Sequence, residues 1–143
     1  MELEEFSPEN AAACDETEAA RFYLKRLDAC CEEPAASKEE LFDVLSRVST
    51  LATKAKTALN AYLVRISGKE MTDFDDGYPA EIDARLDTVF DNACFFGNRD
   101  EISRQTLQER VRAAQIAASA VPMLIARMES EASMNAVAAE KKK

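Results

Sequence analysis

Apolar residues recur along much of the chain at alternating steps of four and three, the spacing of a helix that buries one face. Two segments, about 38–67 and 99–134, keep this spacing over several turns, which predicts two long helices with heptad-like seams. In the first segment the seam consists of Leu41, Leu45, Val48, Ala52, Ala55, Leu59, Tyr62 and Ile66. In the second it consists of Leu107, Val111, Ala114, Ala118, Val121, Ile125, Met128 and Ala132.

Capping residues and breakers predict where the first two helices begin and end. Ser7-Pro8 places an N-cap before a proline at the first helical position, so we expect a first helix from there to about Glu33, before Pro34. Ser37 and Glu40 match the S-x-x-E capping box, which predicts the start of the second helix. Gly68 is well placed to end it.

Proline and capping residues also predict the bounds of the third and fourth helices. Pro79 predicts the start of a third helix that ends near Phe96, and Asn98 predicts the start of a fourth. Pro122 falls inside the fourth helix, yet the apolar seam continues in phase beyond it. We expect a kink at Pro122. The alternative is a true break, which would make residues 123–134 a separate short helix.

These elements predict an all-α antiparallel bundle of about four helices, because no segment alternates with period two and the links are short. The 143 residues suit one helical domain, 1–143, with frayed ends at about 1–6 and 135–143. The third helix is much shorter than the two long ones. It cannot bury the whole apolar seam of a long helix, so another helix must cover the rest. Either the first helix or a second copy supplies it, and the alanine-rich face of the fourth helix permits close approach of either.

Composition excludes several kinds of chemistry. The chain has no His and only three Gly, which excludes Ser-His and Cys-His pairs, imidazole metal ligands and glycine-rich phosphate loops. No apolar run reaches the roughly 18 residues of a membrane span, and the acidic N-terminus does not resemble a secretory signal. We therefore expect a cytoplasmic chain with four reduced cysteines. The adjacent Cys30 and Cys31 are interpreted as buried side chains, with a redox-sensitive pair as the alternative.

Charge is segregated along the chain, whose net charge is −9. Residues 1–43 and 67–101 are strongly acidic, residues 44–66 contain no acid and four bases, and residues 102–143 have a net charge of +3. This alternation favours attraction between neighbouring helices. It also suits an acidic docking surface for a basic protein or a surface that mimics nucleic acid. Direct nucleic-acid binding is not expected, since phosphate neutralisation dominates such affinity.

Acidic side chains form the remaining candidate chemistry. The loop around Gly77 fails the EF-hand register, because Phe74 would occupy a ligand position. Asp15 and Glu18 share a face of the first helix, and Glu40 and Asp43 share a face of the second. If these helices pack antiparallel, the four carboxylates converge on Mg²⁺, which prefers such oxygen ligands.

This pattern of acid-x-x-Glu followed by Glu-x-x-Asp resembles the motif of the all-α MazG-type nucleotide pyrophosphohydrolases. The resemblance implies a Mg²⁺-dependent enzyme that acts on nucleoside triphosphates, with Asp15, Glu18, Glu40 and Asp43 as metal ligands. It covers residues 15–45 only. The first acid is Asp15 where the family has Glu, and no downstream basic and Asn pair matches.

The missing histidine favours a non-enzymatic function without a cofactor. We expect a protein–protein interaction module, as an adaptor, chaperone-like or accessory protein, that self-associates and has an acidic docking surface for an unknown protein partner. The expected interaction seam consists of Leu41, Leu45, Val48, Leu59, Tyr62, Ile66, Leu107, Val111, Ala114, Ala118, Val121 and Ile125. The MazG-type enzyme is the alternative.

Overall fold

A computed structural model describes the backbone of residues 16–141 and the side chains of residues 16–132. Within this part of the chain there is no strand, and a single 3₁₀ turn lies between the second and third helices. The all-α prediction is confirmed, and the layout is that of about four helices with the last one divided. The elements are α1 (Glu16–Cys31), α2 (Lys38–Ser67), the 3₁₀ turn (Met71–Asp73), α3 (Gly77–Ala93), α4 (Arg104–Ser119) and α5 (Val121–Lys141).

Helix α2 has the predicted bounds, because local capping fixes both of its ends. Ser37 Oγ accepts a hydrogen bond from the Glu40 N–H at 3.1 Å, and Glu40 Oε1 accepts one from the Ser37 N–H at 3.0 Å. Gly68 ends the helix with φ of 77°, a left-handed conformation that favours glycine. The predicted start of the first helix at Ser7-Pro8 and the frayed end 1–6 lie outside the described residues.

The predicted helix over 99–134 requires a correction. Asn98 Oδ1 accepts from the Asp100 N–H in a turn, and Ser103 Oγ instead caps α4 by accepting from the Thr106 N–H at 3.0 Å. The helix then ends at Ser119, and Pro122 is the second residue of α5 rather than a kink within one helix. Proline is tolerated there because the first N–H groups of a helix have no intrahelical acceptor.

The third helix also ends earlier than predicted, at Ala93 instead of Phe96. Cys94 has extended backbone angles, which release residues 94–103 as a connecting loop. At the far end, α5 is helical to Lys141, and the predicted fraying of residues 135–143 stays a prediction. Among the described residues, no helix combines the length and apolar character needed to cross a bilayer.

Antiparallel pairing of α1 with α2 organises the core. Glu16 at the start of α1 pairs with Arg65 near the end of α2 at 2.7 Å, whereas Glu33 just after α1 pairs with Arg47 at 2.9 Å. From Leu41 to Tyr62 the seam of α2 is buried within the chain, and only Ile66 at its end is exposed. Helices α3, α4 and α5 complete one continuous core, in which the largest fully buried side chains are Leu27, Leu45, Leu59, Leu63, Met71, Ile82, Leu86, Leu107 and Ile125.

Charges of opposite sign meet between neighbouring helices, as the alternation of acidic and basic segments predicts. Lys56 of α2 lies 3.4 Å from Asp83 of α3. The Arg110 guanidinium of α4 donates to the carbonyl oxygens of Asp91 and Asn92 at 3.1 Å, which satisfies acceptors at the end of α3. These contacts favour one arrangement of the helices, although exposed pairs each contribute only about 0–1 kcal/mol.

The first half of α5 is joined to α1 by a polar cluster around Glu129, the ninth residue of α5. Glu129 accepts hydrogen bonds from the Thr17 hydroxyl and from the Arg21 guanidinium. Thr17 is fully buried, so its hydroxyl requires a partner of this kind. The cluster holds α5 against the bundle after the chain bends at Ala120.

Two positions one seam repeat apart test the internal core directly. Leu59→Ala removes a fully buried side chain and should lower the free energy of unfolding by about 2–5 kcal/mol. Ile66→Ala should cost less than about 1 kcal/mol, because Ile66 is 43% exposed. Urea denaturation of the two variants measures both values. Equal losses would contradict the assignment of the seam to the chain's own core.

Candidate functional site

The carboxylates predicted to bind Mg²⁺ do not converge. Glu18 lies near the start of α1, level with the last turns of α2, because the two helices are antiparallel. Glu40 and Asp43 lie in the first two turns of α2. At 1.5 Å per residue, more than about 25 Å of helix separates them from Glu18. Asp15 lies outside the described residues.

Glu40 and Asp43 also have structural partners. Hydrogen bonds from the backbone of Ser37 and Ala36 lower the pKa of Glu40, which serves the capping box. Asp43 Oδ2 accepts a hydrogen bond from Arg47 Nε at 3.0 Å. Among the described residues, no three His, Cys, Asp or Glu side chains are grouped so as to hold a metal ion.

The predicted interaction seam forms the core rather than an outer surface. Eleven of its twelve residues are at most 8% exposed, and only Ile66, at 43%, is accessible. The physical reason is that α1 packs along α2 while α4 and the start of α5 pack against the other helices. The alanine-rich face of α4 is also used internally, since Ala114, Ala117 and Ala118 are buried. Docking of a second protein on these seams would require the bundle to open.

Cys30 and Cys31 are poor nucleophiles at neutral pH. Burial raises the pKa of the Cys30 thiol, and burial with the neighbouring Cys30 raises the pKa of Cys31 to about 12. Both therefore remain protonated, whereas the thiolate is the reactive form. Cys94 Sγ lies 3.6 Å from Ser49 Oγ. The three described cysteines are free thiols, and burial of Cys30 follows the sequence interpretation.

An arginine–aromatic cluster that sequence analysis missed lies at the α3–α4 end of the bundle. The Arg99 guanidinium carbon is 4.3 Å from the Phe42 ring centroid, and that of Arg110 is 5.3 Å from the Phe95 centroid. The two rings are 6.1 Å apart. Gly97 permits this packing, because a Cβ there would lie 2.8 Å from the Phe95 ring. The cluster positions the α3–α4 loop and offers no pair of groups for acid–base chemistry.

The clearest unpaired surface is acidic. It comprises the α2–α3 loop and the outer side of α3, and we call it the acidic face. Two exposed bases, Lys69 and Arg85, lie on the same elements. The exposed acids of this face are Glu70, Asp73, Asp75, Asp76, Glu81, Asp87 and Asp91. Within the described part of the chain, none of their carboxylates forms an ion pair, in contrast to Asp83 on the inner side of α3.

Comparisons with protein-family models, with curated proteins and with solved structures gave no match for this chain.

The separation of the carboxylates predicts the response to magnesium. Millimolar Mg²⁺ should leave the Tm of the full chain unchanged, because no described carboxylates converge to bind it in the folded state. Differential scanning fluorimetry with Mg²⁺ measures this. A rise in Tm that both Glu18→Gln and Glu40→Gln abolish would show instead that the two ends meet at one metal.

The capping box predicts a pH dependence. The folded pKa of Glu40 is lowered below its ordinary value of 4.5, so its contribution to stability is present above that pH and is lost as pH falls through the folded pKa. Glu40→Gln should therefore reduce the Tm at pH 7 more than at pH 3. Glu39→Gln, on the adjacent exposed residue outside the box, is the matched control. The same pH dependence in both variants would argue against a special role for Glu40.

Proposed function

We propose that this chain is a non-enzymatic interaction module that binds a basic partner protein through the acidic face. The observation that carries the proposal is that seven exposed carboxylates, none of which forms an ion pair in the described part of the chain, lie on the α2–α3 loop and α3. Adaptor, chaperone-like and accessory roles all fit such a module, since a fold of this class does not choose among them.

The position of the carboxylates suits a docking surface. Glu81, Asp87 and Asp91 lie on a regular helix that is anchored to the core by Ile82, Leu86 and Val89. The loop acids adjoin them at the start of α3, and Glu70 is held by Asp73, whose Oδ2 accepts from its N–H at 3.0 Å. A rigid array of like charges gives a potential that steers a positively charged partner and selects against acidic ones.

The lack of assembled catalytic groups among the described residues supports a binding role over an enzymatic one. The chain contains no histidine, the Cys30 and Cys31 thiols are held protonated, and Glu40 and Asp43 are engaged in structural contacts. The free thiols of Cys30, Cys31 and Cys94 are compatible with a reducing compartment, so we place the module in the cytoplasm. Direct binding of DNA or RNA is disfavoured by the net charge of −9.

The apolar seams predict self-association. Because all of their residues except Ile66 are buried within the chain, they no longer provide a reason for it. A homo-oligomer therefore needs an outer surface. Sedimentation over a range of concentrations tests for one.

Neutralising the acidic face should abolish capture of its partner. The quadruple variant Asp75→Asn, Asp76→Asn, Glu81→Gln, Asp87→Asn should reduce the amount of basic protein retained from a native-host extract by about tenfold or more, because each lost charge removes attraction across the interface. Capture of wild type should weaken steeply with added salt, since exposed charges are screened. Quantitative mass spectrometry of the retained proteins measures both effects.

The matched control changes four exposed acids elsewhere, Glu39→Gln, Asp100→Asn, Glu101→Gln and Glu109→Gln, and thus has the same net charge. It should retain the partner. Equal loss in both variants would mean that only net charge matters, and salt-insensitive capture would contradict electrostatic docking.

A further inference from the structure

The outer side of the α4–α5 bend differs in character from the acidic face. Two large apolar residues, Ile116 and Met123, are 59% and 52% exposed there. Arg112 precedes them and Arg127 follows them, and both arginines are exposed. We call these four residues the bend face. The spacing of seven between Ile116 and Met123 places them on one side of the helices.

The bend face is continuous although the helix is divided. Ala120 keeps right-handed helical backbone angles, with φ of −83° and ψ of −16°, so the side-chain spacing carries across the bend with little change. The opposite side of the same segment is buried in the core through Ala117, Val121 and Leu124. Ile116 and Met123 therefore face away from the core.

A groove of about 330 Å³ opens beside the bend face, between α1 and the α4–α5 bend. Leu24, Ala118 and Pro122 give it apolar walls, and its polar lining consists of Arg21, Lys25, Asp28 and Ser119. The Asp28 carboxylate accepts a hydrogen bond from Gln115 at 3.1 Å. Ser119 is three residues after Ile116 and four before Met123, so the groove is adjacent to the bend face.

The unpaired positive charges of the bend face indicate which kind of partner it binds. In the described part of the chain, Arg112, Arg127 and Lys25 form no ion pair, whereas Arg21 beside them is neutralised by Glu129. Arg112 and Arg127 are 15 residues apart, roughly 22 Å along a helix. An apolar centre of Ile116 and Met123 therefore lies between two unpaired positive charges, in a molecule whose net charge is −9.

We propose that the bend face binds an acidic amphipathic helix of a partner protein. The apolar side of that helix packs on Ile116 and Met123 and places a side chain in the groove, while carboxylates about four turns apart meet Arg112 and Arg127. Helix-in-groove recognition uses apolar anchors at this spacing, and methionine adapts to varied partners. The bend face is separate from the acidic face and binds the opposite charge.

The same charges disfavour a second copy of the chain as the occupant. A second copy placed antiparallel about Ala120 would set Arg112 against Arg127 of its partner, which is repulsive.

A designed peptide tests the proposal on the full chain. The probe is a fluorescein-labelled helical 20-mer with Leu at i, i+4, i+7 and i+11 and Glu at both ends, and its binding is followed by fluorescence anisotropy. We expect saturable binding that a scrambled peptide of identical composition does not show. Ile116→Ser and Arg112→Glu should each weaken binding by about fivefold or more.

Val64→Ser and Arg85→Glu are the matched controls, since Val64 is 47% exposed and Arg85 is an exposed arginine of α3. They should change the affinity by less than about twofold. Unchanged circular dichroism and Tm establish that every variant is folded.

Several results would overturn the proposal: no saturation up to about 1 mM peptide, equal binding of the scrambled peptide, or equal loss in the controls. Concentration-dependent dimerisation that Ile116→Ser abolishes would assign the bend face to a second copy. Binding to phosphatidylserine vesicles that the same substitution abolishes would assign it to a membrane.

Discussion

The antiparallel packing of α1 on α2 is the constraint on which the rest of the structure depends. A 30-residue helix with an apolar seam is unstable as an isolated rod in water unless that seam is covered. Glu16–Arg65 and Glu33–Arg47 show that α1 lies along α2 from about Arg47 to Arg65, and the seam is buried from Leu41 to Tyr62. Once this pair is set, the remaining side of α2 accepts α3 and α4, and the apolar residues with the clearest pattern are no longer available to a partner.

The same constraint separates groups that the sequence pattern suggests are close. The sequence pattern groups Glu18 with Glu40 as ligands of one metal ion. Antiparallel packing instead places them toward opposite ends of the α1–α2 pair. The register of the two helices follows from the short link between α1 and α2. The distance between Glu18 and Glu40 is therefore set by the chain topology and not by the conformation of the two side chains. Function is therefore left to the outer faces, where charge rather than apolar area distinguishes one surface from another.

What the sequence predicts well is what short-range chemistry decides. Helix α2 was predictable to the residue because Ser37, Glu40 and Gly68 act within one turn of its ends. Pro122 was ambiguous, since a proline within a kinked helix and one in the first turn of a new helix leave the same local pattern. The Phe42–Arg99 stack was missed because its partners are far apart in the chain, and nothing near either residue indicates the other. The acidic face was foreseen as a charge excess, but only the fold separates Asp83, which is paired with Lys56, from the exposed Glu81 and Asp87.

The central claim is that the seam of α2 is covered by the chain itself, which leaves binding to the charged outer faces. Hydrogen–deuterium exchange of the full chain, followed by mass spectrometry over a hundredfold range of protein concentration, tests it most directly. Amides between Leu41 and Leu63 should be strongly protected, and to the same extent, at every concentration. Protection of this segment that grows with concentration would contradict the claim, because a second copy would then be covering the seam.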